Sequence, residues 1–184
     1  MRQLQPRLKE WFDSRLLNPE PLAFHEGNPV KMLILTAQAC LGIAERGKDN
    51  CGEMVELFQS TIGRAEQEPW CMAFLQSCVA YIESFGFTSD LFPSEHCLTV
   101  WVNSKCRRPV EPVPGDMVIY RLGDTTKGHA ELITAVFPLS LATIGGNTGA
   151  PNDEIERNGD GVYSKIRVRG GTFKMREVGF LRLF

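Results

Sequence analysis

The sequence lacks four features that would mark common classes of protein. It has no apolar run long enough to cross a bilayer, and no charged-then-apolar segment opens it as a secretory signal would. It has no large excess of either charge, because 20 Lys and Arg stand against 22 Asp and Glu, a net charge of −2. Its cysteines and histidines form no C-x-x-C or H-x-x-x-H pair, the spacings that zinc sites use.

These absences favour a protein that is made in the cytoplasm and binds neither membrane nor nucleic acid. We expect no metal and no cofactor. The chain has six cysteines, but at 184 residues it is large enough to fold without disulfides, so reduced thiols fit better. Its length and its ordinary 43% hydrophobic content predict a single domain over residues 1–184, with residues 1–30 as an N-terminal helical extension.

The hydrophobic pattern changes at a proline-rich turn over residues 111–116. Before the turn, apolar residues at helical spacing predict helices near residues 4–12, 29–47, 54–63, 71–86 and 94–109. After it, alternating or β-branched runs predict strands at residues 117–120, 128–136, 141–145, 161–168 and 178–184. Short connections favour antiparallel pairing. The sequence therefore predicts an α+β fold, with helices packed on one side of an antiparallel sheet of about five strands.

Cys71 begins the most regular helical pattern. Pro69 suits a helix start, and apolar side chains then recur in an amphipathic stripe at Cys71, Phe74, Leu75, Cys78, Val79 and Ile82. In the first turn of a helix, unpaired N–H groups and the positive end of the helix dipole favour a thiolate over a thiol. Cys71 is therefore a candidate nucleophile. The alternative is that it begins a buried stripe as a small hydrophobic residue.

A cysteine nucleophile needs a base, and His129 has the best context of the three histidines, because it follows Gly128 at the start of a predicted strand. His25 and His96 lie in polar stretches and are expected at the surface. His129 would take the thiol proton, and the resulting thiolate–imidazolium pair would attack a carbonyl. Asn147 ends the next predicted strand, so antiparallel pairing would bring its amide to the distal imidazole nitrogen as an orienting group.

Four segments, in this order, resemble the CHAP family of cysteine, histidine-dependent amidohydrolases and peptidases, a branch of the papain-like and NlpC-type cysteine peptidases. They are residues 69–74 (PWCMAF), 114–118 (PGDMV), 128–133 (GHAELI) and 145–147 (GGN). The resemblance covers roughly residue 32 to the end, because the segment from Ala44 through Gly63 is similar to the helices that precede the nucleophile in that family. It implies a papain-like fold with one catalytic domain.

By this resemblance the protein is a peptidoglycan amide hydrolase, either an N-acetylmuramoyl-L-alanine amidase or an endopeptidase. Cys71 would be the nucleophile, His129 the general base and then acid, and Asn147 the orienting residue, with a thioester on Cys71 as the intermediate. The Cys71 N–H would stabilise the oxyanion. Gln67 would be a second donor, as a glutamine is in papain-like enzymes, although its offset from the cysteine differs. Trp70 is expected to contact the substrate.

Two features depart from the family pattern. Glu131 stands where glycine is usual, and strand alternation places it on the same face as His129, where it would tune His129 or bind substrate. The alternative is a solvated or salt-bridged carboxylate. The loop from Asn152 to Asp160 is rich in oxygen ligands, and some relatives bind calcium, but the loop lacks the spacing of an EF-hand. A solvated turn explains it, so we expect no metal there.

A peptidoglycan hydrolase without a signal peptide has to leave the cytoplasm by another route and act in the periplasm or cell wall. A phage endolysin that escapes through a holin pore fits, and so does an antibacterial effector delivered into a neighbouring cell. An effector implies an immunity protein as a partner. Two other functions stay open: proteolysis or acyl transfer on proteins by the same Cys–His pair, and an inactive wall-binding module in which the cysteine only packs.

Overall fold

The computed structural model describes residues 2–17, 24, 26–63, 67–149 and 159–184. In these ranges the helices are α1 Pro6–Leu16, α2 Pro29–Ala39, α3 Glu53–Thr61, α4 Cys71–Glu83 and α5 Cys97–Asn103. The strands are β1 Met117–Leu122, β2 Gly128–Val136, β3 Ser140–Thr148, β4 Gly161–Val168 and β5 Met175–Leu181. All neighbouring strands pair antiparallel, in the order β4-β3-β2-β1-β5. The prediction of an α+β fold, with helices followed by an antiparallel sheet, is confirmed. Nowhere in the described ranges does a helix have the length and apolar character that crossing a membrane requires.

Helix α4 lies at the centre of the molecule. It contacts α2 and α3 on one side and β2 and β3 on the other. The sequence predicts an amphipathic helix, but the structure buries every residue from Cys71 to Ile82, because both sides of the helix are covered. The buried polar side chains find partners: Gln76 Nε2 donates to a backbone carbonyl at 2.8 Å, and Ser77 Oγ donates to another at 2.9 Å.

Helix α2 ends well before the predicted boundary. Its last residue is Ala39, and Gly42 then takes a φ of +83°, a left-handed conformation that ends the helix. The Gly42 N–H donates to the Val162 carbonyl at 3.0 Å, and the Val162 N–H donates to the Ile43 carbonyl at 2.8 Å. The chain therefore runs beside β4 instead of continuing as a helix, and it carries Glu45 to the edge of the sheet.

The sheet carries a buried apolar cluster on each face. One cluster belongs to the helical core and includes Ala130 and Leu132 of β2. The other lies on the opposite face and consists of Val118, Tyr120, Ile133, Leu141, Met175 and Phe180. Because side chains alternate along β2, His129 and Glu131 share the face of Ile133. His129 is the second residue of β2, so it lies at the end of the sheet, next to the N-terminus of α4.

Candidate active site

The thiol of Cys71 lies where α4 begins, beside the start of β2. Cys71 is 5% exposed, and with His129 it lines a cleft of about 420 Å³. The pKa of the Cys71 thiol is well below its ordinary value, because Cys97 donates a hydrogen bond to the thiolate and His129 adds a positive charge and a hydrogen bond. Burial acts in the opposite direction. The structure thus brings the two predicted residues, Cys71 and His129, together.

His129 is buried, and burial alone would lower the pKa of its ring. The negative charge of Cys71 and the hydrogen bonds with Cys71 and Glu131 outweigh burial and raise the pKa of His129 to about 10. The thiol, with its lowered pKa, therefore loses its proton before His129 does, and between the two pKa values the proton resides on His129. The pair is therefore a thiolate and an imidazolium.

Glu131 follows His129 by two residues on the same face of β2. Nε2 of His129 lies 3.1 Å from Oε1 of Glu131. The carboxylate is completely buried, and it accepts hydrogen bonds from Nε of Arg167 at 2.9 Å and from Oγ1 of Thr143 at 2.7 Å. Hydrogen bonds with His129 and Arg167 outweigh burial and hold the pKa of Glu131 well below its ordinary value. Glu131 is therefore an ionised, buried carboxylate that orients His129, and its burial excludes the predicted contact with substrate.

Gly145 and Gly128, two glycines of the motifs, leave the space that the Glu131 carboxylate and α5 occupy. A Cβ at Gly145 would lie 2.8 Å from Cγ of Glu131 and 3.1 Å from its Oε1, so a side chain there would displace the carboxylate. A Cβ at Gly128 would lie 2.9 Å from Cβ of Cys97. Gly128 therefore allows α5 to approach the start of β2.

Asn147 lies in a different network, which corrects its assignment as the orienting residue. Its Nδ2 donates to Glu45 Oε1 at 3.1 Å, to Asn50 Oδ1 at 2.8 Å and to the Gly159 carbonyl at 3.1 Å. The register of β2 and β3, continued, would set Asn147 opposite His129, but the pairing of these strands ends where Leu132 meets Ile144. Beyond that point the strands separate, and a φ of +51° at Asn147 turns the chain toward the Glu45 segment.

Trp70 and Gln67 do not occupy the predicted substrate positions. Trp70 is completely buried, stacks on Phe58 with ring centroids 6.0 Å apart, and donates from Nε1 to Glu45 at 2.8 Å. It therefore supports the wall of the cleft from behind. Gln67 is exposed, has a φ of +72°, and is not among the residues that line the cleft. The Cys71 N–H, at the first position of α4, is the oxyanion donor that the geometry supports.

Sequence reasoning missed Arg167 and Cys97. Arg167 and Lys165 are buried on β4, whereas Ile166 and Val168 between and after them are 68% and 61% exposed. The sequence shows only that cationic and apolar residues alternate, and this pattern by itself predicts that the apolar residues face inward. The inversion becomes visible only in the structure, where the buried Glu131 carboxylate accounts for it. Cys97 lies with its Sγ 3.7 Å from Sγ of Cys71. No local sequence pattern predicts this contact, because 26 positions separate the two residues.

Other predicted features lie at the rim or outside the described residues. His96 is exposed and lines the cleft, together with the carboxylates of Glu45, Asp49, Glu68 and Glu95. His25 and positions 152–158 of the oxygen-rich loop lie outside the part of the chain that the structure describes. Within that part, no group of three or more His, Cys, Asp and Glu is placed to hold a metal ion.

Comparison with protein-family models, curated proteins and solved structures finds no match for this chain. The geometry of the site indicates its chemistry. A thiolate at a helix N-terminus lies beside an imidazolium, and the far nitrogen of that ring is fixed by a buried carboxylate. These are the components that cysteine-dependent acyl transfer to water or to another acceptor requires.

Proposed function

We propose that the chain is a cysteine amide hydrolase of papain-like fold that cleaves peptidoglycan through a Cys71–His129–Glu131 triad. The observation that carries the proposal is the lowered pKa of a thiol that lines a cleft and contacts an oriented imidazolium. A cysteine that only packs behaves differently. Cys78, seven residues further along the same helix, has its pKa raised by burial. The environment of Cys71 is therefore that of a nucleophile.

The chemistry follows from the position of each group. The Cys71 thiolate attacks the amide carbonyl, a C–S bond forms, and the carbonyl electrons move onto oxygen, where the Cys71 N–H stabilises the negative charge. His129 gives its proton to the amine as the C–N bond breaks, leaving a thioester. Water then attacks the thioester while His129 accepts its proton, and the thiolate departs. Glu131 stays ionised throughout and keeps the ring in position.

Peptidoglycan as the substrate is supported by the four segments that resemble the CHAP family. A cleft of about 420 Å³ is large enough for a few residues of a stem peptide. Its walls carry the carboxylates of Glu45, Asp49, Glu68 and Glu95, and the cationic groups are Lys127, the His129 imidazolium and Arg167, whose charge is paired with Glu131. This balance disfavours a polyanionic substrate. The enzyme would act in the periplasm or cell wall, as a phage endolysin or as a delivered effector. In the second case an immunity protein would cover the Cys71 cleft.

The test is digestion of purified sacculi, with the released muropeptides identified by mass spectrometry. Wild type is expected to release new products, and Cys71→Ala and His129→Ala are not. A new amine on L-alanine would identify an amidase, and a cut within the stem peptide would identify an endopeptidase. The proposal fails if wild type releases nothing while its Cys71 alkylates rapidly, and cleavage of a protein substrate would then support the protease alternative. A Cys71 that is inert to alkylation would support the wall-binding module.

A further inference from the structure

Cys97 places a second thiol against the nucleophile. It is the first residue of α5, it is 3% exposed, and it lines the same cleft as Cys71. The 3.7 Å between the two Sγ atoms is within hydrogen-bond range for sulfur. The catalytic scheme above assigns no role to this thiol.

The pKa values of the two thiols are shifted in opposite directions, and this difference identifies which thiol donates the hydrogen bond. The hydrogen bond with Cys71, burial and the negative charges of Cys71 and Glu95 raise the pKa of Cys97 well above its ordinary value. Cys97 therefore keeps its proton when Cys71 has lost its own. Three groups face the thiolate: Cys97 from α5, the His129 ring from β2 and the backbone N–H of Ala130. The charged side chains elsewhere in the cleft include Glu45, Asp49, Glu68, His96, Lys127 and Arg167.

We propose that Cys97 is a further catalytic residue, whose S–H donates a hydrogen bond to the Cys71 thiolate and stabilises the nucleophile before substrate binds. His129 supplies the opposite charge on one side of the sulfur, and Cys97 supplies a neutral donor on another. Its part in turnover rests on the proposed function, whereas its donation to the thiolate does not. This difference lets the two proposals be tested separately.

The experiment measures the rate at which iodoacetamide alkylates Cys71 as a function of pH. The rate is read on the Cys71 peptide by mass spectrometry, because Cys51 is partly exposed and also reacts. Cys97→Ala removes the donor, and Cys97→Ser replaces it with a hydroxyl. Cys106→Ala is the matched control, since it empties the same volume at another buried cysteine that does not line the cleft. Circular dichroism and thermal unfolding check the fold of each variant.

We expect Cys97→Ala to slow alkylation on the acidic side of the profile by about three- to tenfold, the effect of one lost hydrogen bond. Cys97→Ser should recover most of the rate, and Cys106→Ala should match wild type. Identical profiles for wild type and Cys97→Ala, or an equal loss in Cys106→Ala, would overturn the proposal. A slower Cys97→Ala in a protein that releases nothing from sacculi would support the Cys97 donor and overturn the peptidoglycan assignment.

Discussion

Arg167 of β4 reaches past β3 to Glu131 of β2, and its Nε lies 3.1 and 2.9 Å from the two carboxylate oxygens. Both side chains are buried, so the ion pair is shielded from solvent. The negative charge that orients His129 therefore depends on a residue in a strand that does not pair with His129's own strand.

Replacement of Arg167 by Met keeps much of the side-chain length and removes the charge. We expect a loss of about 3–5 kcal/mol in the free energy of unfolding, because the buried carboxylate of Glu131 loses its guanidinium partner and keeps the His129 ring. Urea denaturation measures it. Arg169→Met is the control, since Arg169 pairs with the exposed Glu111 and its loss should cost under about 1 kcal/mol. Equal losses in the two variants would contradict a special role for the buried pair.

Glu131→Gln should be more damaging than removal of the Asn147 side chain. We expect Glu131→Gln to lower turnover by roughly 10²- to 10⁴-fold, because the ring of His129 loses its charged partner. Asn147→Gly is the matched comparison, since glycine accepts the φ of +51° without strain and should keep turnover within about tenfold of wild type. His129→Ala should be nearly inactive. Turnover of all three variants on one muropeptide decides the order, and wild-type turnover in Glu131→Gln would remove Glu131 from the triad.

The pH dependence of kcat/KM should show a broad plateau. The lowered pKa of Cys71 moves the acidic limb below the ordinary thiol range, and the alkaline limb lies near pH 10, where His129 loses its proton. Glu131 helps to raise the pKa of His129, so Glu131→Gln should move the alkaline limb to lower pH. Profiles for wild type and this variant on a soluble muropeptide test the shift. An unmoved alkaline limb would show that Glu131 does not act on the ring.

Replacement by alanine should affect activity at one cysteine of α4 and stability at the other. Cys71→Ala should abolish hydrolysis and leave the circular dichroism spectrum unchanged, because the residue faces a cleft. Cys78 is completely buried, so Cys78→Ala should keep most activity and lose about 1 kcal/mol of stability through the small cavity. Turnover and urea denaturation separate the two effects. Full lytic activity in Cys71→Ala would refute the nucleophile.

Hydrogen peroxide should inactivate the protein reversibly. The Cys71 thiolate attacks one peroxide oxygen to give a sulfenic acid and hydroxide, and the Cys97 thiol then displaces water to form a disulfide. The 3.7 Å between the sulfurs makes Cys97 the nearest partner for this step. We expect a peptide that links the two cysteines, with activity restored by dithiothreitol. Cys97→Ala should instead accumulate sulfenic acid and, with excess peroxide, sulfinic acid at Cys71, because the neighbouring thiol that would trap the first oxidation product is gone. Absence of the linked peptide from peroxide-treated wild type would exclude Cys97 as the partner.

The sequence predicted those elements whose signals are local. β2 and β4 occupy the predicted ranges Gly128–Val136 and Gly161–Val168, because alternation and β-branched residues mark them clearly. The start of α4 at Cys71 follows from Pro69 and the apolar period. These signals sufficed to find the thiol and the imidazole.

The remaining partners of the site depend on contacts that no local pattern encodes. Hydrophobicity alone predicts that Ile166 and Val168 of β4 face the interior. In the structure they face solvent, and Arg167 faces the interior instead, because it pairs with the buried carboxylate of Glu131. Similarly, regular pairing predicts Asn147 opposite His129, but β2 and β3 separate before that point. In both cases a tertiary interaction overrides the periodicity of a single strand.

The sheet order also constrains how the chain matures during translation. β1 lies between β2 and β5, so one edge of β1 has no partner until β5, the last described strand in the sequence, has been made. Until then a nascent chain exposes a row of unsatisfied N–H and C=O groups, which invites pairing with other chains. Met175 of β5 also lines the cleft. A ribosome-bound chain that stops short of β5 is therefore expected to be prone to aggregate. It is also expected to lack one wall of the cleft, so competence for chemistry would arrive only after β5 has been made.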